Sequence, residues 1–246
     1  MPETPWPQRF QVAIVDYGIG NLFSVKHACE QAGIHASITH SCSEILQASA
    51  VILPGVGAFG DAMEILGKLD LVSVLRDIAA SGKPLVGICL GMQLLMTESH
   101  EFGWHRGLGI IEGEVVRLEE AVHGDRVLKV PHVGWNRIAT GNATAVQADS
   151  CVGWKGSLLE GLSEGEYMYF VHSFYPKPVD ANVVLSITRH GPVDFCSSLR
   201  EGNIFGCQFH PERSGSQGLR VYQNLAFLIQ KTQEGDRNVR TAGGKV

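Results

Sequence analysis

The sequence has few of the features that mark secreted, membrane-spanning or nucleic-acid-binding proteins. Its six cysteines are scattered, without a CxxC pair or a nearby Cys/His cluster, so neither a disulfide framework nor a zinc site is predicted. The first apolar run, Val12 to Val15, ends at Asp16, which is too early for a signal peptide or a membrane span. Basic runs with interleaved aromatic residues are missing and the net charge is −5, so nucleic acid is not expected as a partner. We therefore expect a cytoplasmic protein with mostly reduced cysteines and with no metal or cofactor.

The composition is that of a globular protein with a sizeable core. Hydrophobic residues make up 44% of the chain and charged residues 18%. A length of 246 residues suits one α/β domain, and neither a repeat nor a shift in composition divides the chain. We predict a single domain over 10–230, with flexible polar tails at 1–9 and 231–246.

The apolar pattern predicts an α/β fold. In the first half, predicted strands at 11–17, 50–54 and 84–89 alternate with predicted helices that begin at Asn21 or cover 61–81 and 90–98. This order favours a mainly parallel central sheet flanked by helices. The second half has β patterns at 112–118, 126–133, 165–175, 182–189 and 203–209, which predict an added antiparallel β region.

The segment Gly87-Ile88-Cys89-Leu90-Gly91 lies between a predicted strand and a predicted helix. It is the cysteine version of the G-x-S-x-G turn, in which a tight, strained backbone lifts the nucleophile above the sheet edge and requires small neighbours. The predicted helix begins directly after Cys89, and the positive end of its dipole favours the thiolate over the thiol. The N–H of Leu90 would point to where an oxyanion develops. The alternative interpretation is a buried structural cysteine beside packing glycines.

Among ten histidines, His210 is the best candidate for the base. It follows a predicted strand at its carboxyl end, where α/β folds place their sites. Pro211 favours extended backbone at His210, and in an extended chain residues i and i+2 project to the same side. Glu212 can therefore orient the imidazole, as the acid of a catalytic triad does. His172, within an alternating aromatic strand pattern, is the rival base, although that position suits a packed, hydrogen-bonded histidine better.

These residues resemble the class I glutamine amidotransferases, which use a Cys-His-Glu triad. The motifs GICLGMQ and HPE mark the class, and further motifs are similar to those of the glutaminase subunits of imidazole glycerol phosphate synthases, enzymes of histidine biosynthesis. The resemblance covers about residues 10 to 230. Its motifs are DYGIGN (16–21), PGVGAFGDAM (54–63), GICLGMQLL (87–95), PHVGWN (131–136), YFVHSFY (169–175) and QFHPERS (208–214).

The resemblance implies hydrolysis of glutamine to glutamate and ammonia. Cys89 would attack the carboxamide, His210 would protonate the departing ammonia, and Glu212 would orient His210. The implied oxyanion hole consists of Val56, Gly57 and Leu90. The implied substrate-binding residues are Gly57, Gln93, Ser173 and Phe174. A (β/α)₈ cyclase subunit would form a heterodimer with this chain and receive the ammonia, and the residues implied to face it are Asn21, Pro131, His132, Trp135 and Asn136.

Other functions compete with this hypothesis. Gly55 to Gly60 match GxGxxG after a strand and before a helix, a pattern typical of dinucleotide-binding proteins. That fingerprint requires an acidic residue about twenty positions on, at the end of the next strand. The next predicted strand ends instead at Cys89, and Asp77 lies in the preceding helix. A γ-glutamyl hydrolase or cysteine peptidase of similar fold would use the same nucleophile, and only the subfamily motifs argue against it. A catalytically idle binding module is disfavoured because all three triad residue types are present.

Overall fold

The computed structural model describes residues 11–123, 126–141 and 154–242. These residues form sixteen strands and six α-helices. The strands are β1 (Gln11–Val15), β2 (His35–Thr39), β3 (Ala50–Gly55), β4 (Leu85–Cys89), β5 (Met96–Ser99), β6 (His105–Arg106), β7 (Ile111–Arg117), β8 (Ala121–His123), β9 (Arg126–Leu128), β10 (His132–Arg137), β11 (Ala139–Thr140), β12 (Tyr167–His172), β13 (Phe174–Pro178), β14 (Val184–His190), β15 (Val193–Glu201) and β16 (Ile204–Cys207). The helices are α1 (Leu22–Gln31), α2 (Cys42–Gln47), α3 (Phe59–Lys68), α4 (Leu71–Ala80), α5 (Leu90–Leu94) and α6 (Gly215–Ala242). Short 3₁₀ turns cover Ala181–Val183 and Pro211–Arg213.

An eight-stranded mixed sheet is the centre of the fold. Its strand order is β11-β14-β15-β16-β4-β3-β1-β2. The five strands from β16 to β2 are parallel to one another, whereas β11, β14 and β15 extend the sheet with antiparallel pairings. The predicted α/β class, with a mainly parallel core and an added antiparallel region, is confirmed.

Both faces of the parallel sheet are buried at β1, β3 and β4, which explains why these strands are almost continuously apolar. In β1, Val12 and Ile14 pack into a core with helices α1 and α6, while Ala13 and Val15 pack on the other face with α2, α3 and α4. This alternation follows from the period of two in a strand. The result is three layers with helices on both sides of the sheet.

The remaining strands form smaller sheets beside this core. A four-stranded sheet has the order β13-β7-β5-β6, and β10 pairs with β12 in an antiparallel ribbon. No helix among the described residues is long and apolar enough to cross a membrane.

Several predicted boundaries are wrong. The predicted helix over 61–81 is two helices, because the backbone at Asp70 is left-handed (φ 57°) between α3 and α4. The predicted helix over 90–98 ends at Leu94, and the chain enters β5 at Met96. The predicted strand over 126–133 is broken before Pro131, which has no N–H to donate to a ladder.

The domain limits stay a prediction. The lead-in at 1–9 lies outside the described residues. At the other end, α6 continues from Gly215 to Ala242, so the polar segment after residue 230 continues the final helix for most of its length.

Candidate active site

Three neighbouring parallel strands bring the predicted catalytic segments to one edge of the main sheet. Cys89 is the last residue of β4, which pairs with β3 on one side and with β16 on the other. Gly55, the last residue of β3, is in register with Cys89. His210 follows the end of β16 by three residues. Because parallel strands share one carboxyl edge, residues far apart in the sequence meet there.

The turn at Cys89 has the strained geometry that a nucleophile elbow requires. Its φ of 54° and ψ of −110° lie outside the regions that L-residues usually occupy. A methyl group added at Gly91 would collide with the backbone carbonyl of Leu53, and one added at Gly87 would lie 2.6 Å from the carbonyl oxygen of Gly91. The prediction that both flanking residues must be small is therefore confirmed.

His210 and Glu212 form a buried ion pair beside this turn. Nδ1 of His210 lies 2.8 Å from Oε1 of Glu212, and the two side chains are 5% and 1% exposed. Burial by itself lowers the pKa of His210, but the Cys89 sulfur and the Glu212 carboxylate together raise it to about 10. Among the described residues, no group forms a hydrogen bond with Nε2 of His210. Nε2 is thus the nitrogen left to exchange a proton at the sulfur.

Ser214 fixes the backbone that carries His210. Its hydroxyl donates to the carbonyl of His210 at 2.7 Å and accepts from the N–H of Tyr169 at 3.0 Å. The N–H of His210 in turn donates to the carbonyl of Tyr169 at 2.9 Å. The backbone of His210 is therefore anchored to β12 as well as to the end of β16.

A pocket of about 290 Å³ opens above Cys89. It brings together all the residues predicted for the oxyanion hole and for substrate binding. It is lined by Val56, Gly57, Cys89, Leu90, Gln93, Glu101, Pro131, Val171, His172, Ser173 and Phe174. Its size suits a small ligand such as a single amino acid rather than a folded partner.

Backbone amides are available around the sulfur. Leu90 is the first residue of α5, so its N–H has no partner within that helix. Gly57 has a φ of 96°, a conformation that glycine adopts without strain. Val56 is 42% exposed and lines the same pocket. These positions match the oxyanion-hole prediction, and the roles stay a prediction.

Sequence reasoning missed Gln208, which contacts both Cys89 and Gln93. Its Nε2 lies 3.6 Å from the Cys89 sulfur, and its Oε1 accepts from Nε2 of Gln93 at 3.0 Å. Gln93 also donates to the carbonyl of Phe174 at 2.8 Å. Gln208 is fully buried, and a polar residue within the apolar strand segment before His210 was the signal that could have identified it.

Glu101 is a second residue that sequence reasoning missed. It lines the pocket and accepts a hydrogen bond from the N–H of Phe59, at the first turn of α3, at 2.6 Å. Burial raises the pKa of its carboxyl group. It lies in a loop far along the chain from α3, so no local pattern indicated this contact.

His172, the rival base, is buried and hydrogen-bonded, as its alternating pattern predicted. Its Nδ1 lies 3.0 Å from the carbonyl oxygen of Phe174 and its Nε2 lies 3.1 Å from Nδ1 of His132. Both ring nitrogens are therefore engaged, and neither is free to take a proton from Cys89.

The residues predicted to face a partner differ in exposure. Pro131 and Asn21 are exposed, Trp135 is 55% exposed, and Asn136 is half-buried. Asn21 begins α1 without a side-chain cap hydrogen bond, so capping does not explain its presence. His132 is the exception, because its side chain is only 5% exposed and points to His172 rather than outward. The structure therefore does not support a direct partner contact through the His132 side chain.

A separate cluster of titratable groups lies on the four-stranded sheet. Nε2 of His100 is 3.7 Å from Glu98 and 3.3 Å from Glu114, and Lys177 also contacts Glu114 at 3.3 Å. Ligand atoms of the first three residues lie within 4.8 Å of one another. Partial exposure and the lysine make this group a surface ion-pair network.

The cysteines follow the predicted reduced pattern where the structure describes them. Cys29, Cys42, Cys89, Cys196 and Cys207 are free thiols, and Cys151 lies outside the described residues. Burial raises the pKa of Cys29 and of Cys196 to about 12, which makes these two thiols unreactive.

Comparison with known proteins agrees with this arrangement. The model of the class I glutamine amidotransferase family matches residues 13–228. The imidazole glycerol phosphate synthase subunit HisH of Rhodopirellula baltica is 42% identical over 215 residues, which are 87% of this chain and 96% of that protein. The subunit HisH of Aquifex aeolicus is 43% identical over 225 residues, which are 90% of this chain and 98% of that protein.

Solved structures share the fold at low sequence identity. The structure of PurLQS from Thermotoga maritima is 18% identical with a TM-score of 0.64, covering 89% of this chain and 98% of that chain. A crystal structure of a glutamine amidotransferase is 19% identical with a TM-score of 0.61, and the match covers 89% of this chain and 98% of that chain. The match of the family model to most of the chain, together with relatives above 40% identity over nearly their whole length, confirms the resemblance drawn from the motifs: this chain belongs to the class I glutamine amidotransferase family.

Proposed function

We propose that this chain is the glutaminase subunit of an imidazole glycerol phosphate synthase. It hydrolyses glutamine to glutamate and ammonia, and the ammonia passes to a (β/α)₈ cyclase subunit in histidine biosynthesis. The observation that carries the proposal is the position of Cys89 in a small pocket, beside an imidazole that is held by the buried carboxylate of Glu212. The names of the relatives support the choice of synthase.

The first half-reaction forms a thioester. The Cys89 sulfur attacks the carboxamide carbon of glutamine, and the former carbonyl oxygen becomes an oxyanion. When the carbon–nitrogen bond breaks, His210 gives its Nε2 proton to the nitrogen, which leaves as ammonia. A pKa of about 10 keeps His210 protonated at neutral pH, so the proton is present when the leaving group needs it.

The second half-reaction regenerates the Cys89 thiolate and the protonated His210. After proton transfer, Nε2 of His210 is neutral and accepts a proton from water, which attacks the thioester carbon. The carbon–sulfur bond then breaks, glutamate leaves, and the sulfur is restored. Glu212 holds Nδ1 of His210 throughout, so that Nε2 keeps facing the reacting atoms.

Backbone donors stabilise the oxyanion in both steps. The proposed donors are the N–H of Leu90 and an N–H of Val56 or Gly57, and all three residues line the pocket together with Cys89. Loss of one such donor typically costs about 10²–10³ in kcat. Phe174 binds substrate through groups other than its carbonyl, because that oxygen already accepts bonds from Gln93 and His172.

The proposed partner face centres on β10 and the start of α1. Val133 and Trp135 are 57% and 55% exposed on β10, and exposed apolar side chains of this kind are typical of interfaces. Asn21, Pro131 and Asn136 complete the proposed face. Free thiols at the five described cysteine positions favour a reducing compartment, and we place the reaction in the cytoplasm.

The decisive experiment measures ammonia and glutamate released from glutamine, with and without a (β/α)₈ cyclase subunit. We expect Cys89→Ala to abolish release while its circular dichroism and unfolding midpoint stay unchanged. Cys42→Ala is the matched control, because Cys42 is a partly buried free thiol outside the pocket, and it should retain full activity. Persistent turnover in Cys89→Ala would reject the mechanism. Failure of every cyclase tested to copurify or to receive ammonia would reject the choice of synthase.

A further inference from the structure

A continuous series of hydrogen bonds connects β10 to the nucleophile through two buried histidines. Nδ2 of Asn136 lies 3.2 Å from Nε2 of His132, and Nδ1 of His132 lies 3.1 Å from Nε2 of His172. Nδ1 of His172 then lies 3.0 Å from the carbonyl oxygen of Phe174. That same oxygen accepts from Gln93, which also donates to Gln208.

The series has one consistent direction of donation. A carbonyl oxygen only accepts, so Nδ1 of His172 carries a proton and its Nε2 is the acceptor. Nδ1 of His132 must then carry the proton that His172 accepts. Nε2 of His132 consequently accepts from the amide nitrogen of Asn136, which only donates. Both rings are therefore neutral and in the same Nδ1–H tautomer.

The surroundings favour this neutral state. Burial, followed by the proximity of His190, lowers the pKa of His132 to about 4. Burial, followed by the proximity of His132, lowers the pKa of His172 to about 3. The ring of His190 lies 4.5 Å from that of His132, and burial lowers its pKa as well. Within the part of the chain that the structure describes, no carboxylate shifts the pKa of any of the three rings.

The inner end of the series decides which atom faces the sulfur. Gln93 uses its amide nitrogen for two acceptors, the Phe174 carbonyl and Oε1 of Gln208. Because Oε1 of Gln208 is occupied in this way, its Nε2 is directed at the Cys89 sulfur, 3.6 Å away. If the Phe174 carbonyl moved, either glutamine amide could rotate, and an oxygen of Gln208 would then face the sulfur. An oxygen there would repel a thiolate, whereas an N–H stabilises it.

We propose that His132 and His172 are positioning residues for Cys89, which fix the Phe174 carbonyl and thereby keep the amide N–H of Gln208 on the nucleophile. The inference rests on the proposed function only in taking Cys89 as the nucleophile. Neither histidine touches the reacting atoms in this role. They contribute because Nδ1, and not Nε2, is the nitrogen that donates a hydrogen bond in each ring.

The first test is ¹⁵N NMR of the histidine rings in the full chain, because the chemical shifts of the two ring nitrogens distinguish tautomers. We expect His132 and His172 to show a protonated Nδ1 and an unprotonated Nε2 across neutral pH. A purely space-filling role would not require one tautomer in both rings. Detection of the Nε2–H tautomer or of an imidazolium at either ring near neutral pH would overturn the proposal.

The second test uses side chains that reproduce one nitrogen at a time. An Asn amide lies near the position of Nδ1 and a Gln amide near that of Nε2, so His132→Asn preserves donation to His172 and His132→Gln does not. The readout is the rate at which iodoacetamide labels Cys89, measured by mass spectrometry of its peptide. We expect His132→Asn to stay within about twofold of wild type and His132→Gln to fall about fivefold or more, the effect of about 1 kcal/mol. Exposed His35→Gln is the control that should change nothing.

The outcomes distinguish failure of the positioning role from failure of the proposed function. Equal labelling rates for His132→Asn and His132→Gln would overturn the positioning role. The kcat and KM of glutamine hydrolysis give a further check, because loss of the donor should lower kcat more than it raises KM. Labelling and NMR do not use glutamine. Absence of glutamine hydrolysis in the wild-type protein with its cyclase would therefore reject the proposed function without affecting the labelling result.

Discussion

The imidazole of His210 and the carboxylate of Glu212, two residues apart in the chain, are in contact at 2.8 Å inside the protein. The 3₁₀ turn over Pro211–Arg213 carries Glu212, whose carboxylate meets Nδ1 of the ring. Because the pair is almost fully buried, water screens it poorly. The carboxylate of Glu212 therefore acts together with the Cys89 sulfur in raising the pKa of His210.

We expect Glu212→Gln to destabilise the protein in a pH-dependent way. The pKa of His210 is raised from 6.5 to about 10, so the stabilising contribution of its proton is complete below pH 6.5 and is lost as the pH rises through about 10. The difference in free energy of unfolding between wild type and Glu212→Gln should thus be largest near pH 6.5 and shrink toward pH 10. Urea unfolding at several pH values measures it, with exposed Glu201→Gln as the control. A difference that grows with pH would contradict the assignment.

Gly91→Ala should disrupt the elbow. The new methyl group would collide with the carbonyl of Leu53, and both are backbone-anchored, so strand and helix must separate. Overpacking of this kind costs roughly 1–3 kcal/mol, and glutamine hydrolysis should fall as well. Gly67 is the matched control, because it lies in helix α3 and a Cβ added there would meet no atom within 4 Å. Gly67→Ala should be neutral or stabilise by up to about 1 kcal/mol, and an equal loss in both variants would exclude the steric explanation.

Glu101 should stabilise helix α3 through its oxygen rather than through its charge. Ala58, at the cap position of α3, has no side-chain acceptor, and Glu101 supplies one to the N–H of Phe59. We expect Glu101→Ala to lower the free energy of unfolding by about 1–2 kcal/mol. Glu101→Gln keeps an acceptor and removes a charge that burial disfavours, so it should remain close to wild type. Equal destabilisation by both substitutions would show that the charge itself matters.

Trp135→Ala should weaken association with the proposed cyclase subunit without changing the unfolding midpoint. An exposed tryptophan that is buried on binding typically contributes about 2 kcal/mol, which corresponds to a roughly 30-fold weaker Kd. Trp104 is the control, since it is 63% exposed in the loop before β6. Calorimetric titration of the two variants against the cyclase measures the difference. Equal Kd values for both variants and wild type would remove β10 from the proposed interface.

The part of the site that local chemistry determines could be predicted from the sequence. The glycines at 87 and 91 indicated a crowded turn, and the HPE segment indicated a carboxylate beside an imidazole. Both are confirmed, although only the contacts of Gly87 with Gly91 and of His210 with Glu212 lie within a few residues of the chain, whereas Gly91 is crowded by Leu53 of β3. The alternation of strand and helix patterns likewise predicted the parallel core, because β1, β3 and β4 are buried on both faces and therefore form recognisable apolar runs.

The rest depended on long-range contacts that one sequence does not encode locally. Gln208 reaches Gln93 across 115 residues and Glu101 reaches Phe59 across 42, so neither pairing has a spacing to recognise. His132 lies in an exposed ribbon, and only its packing on His172 and Phe170 shows that the side chain is internal. The early end of α5 has a similar cause, since residues after Leu94 exchange helical hydrogen bonds for pairing with β7. Helical spacing alone could not predict that competition.

The backbone of Cys89, with φ at 54°, has a consequence for how the protein loses activity. Conformations of this kind cost about 1–3 kcal/mol and persist only while the surrounding structure enforces them. Here the enforcement comes from β3 and β16, which flank β4. Mild loosening of that sheet would let the turn relax and withdraw the sulfur while most helices are still intact. Low concentrations of urea should thus abolish activity before they unfold the protein. Loss of activity should therefore report loosening of the sheet earlier than loss of helical circular dichroism does.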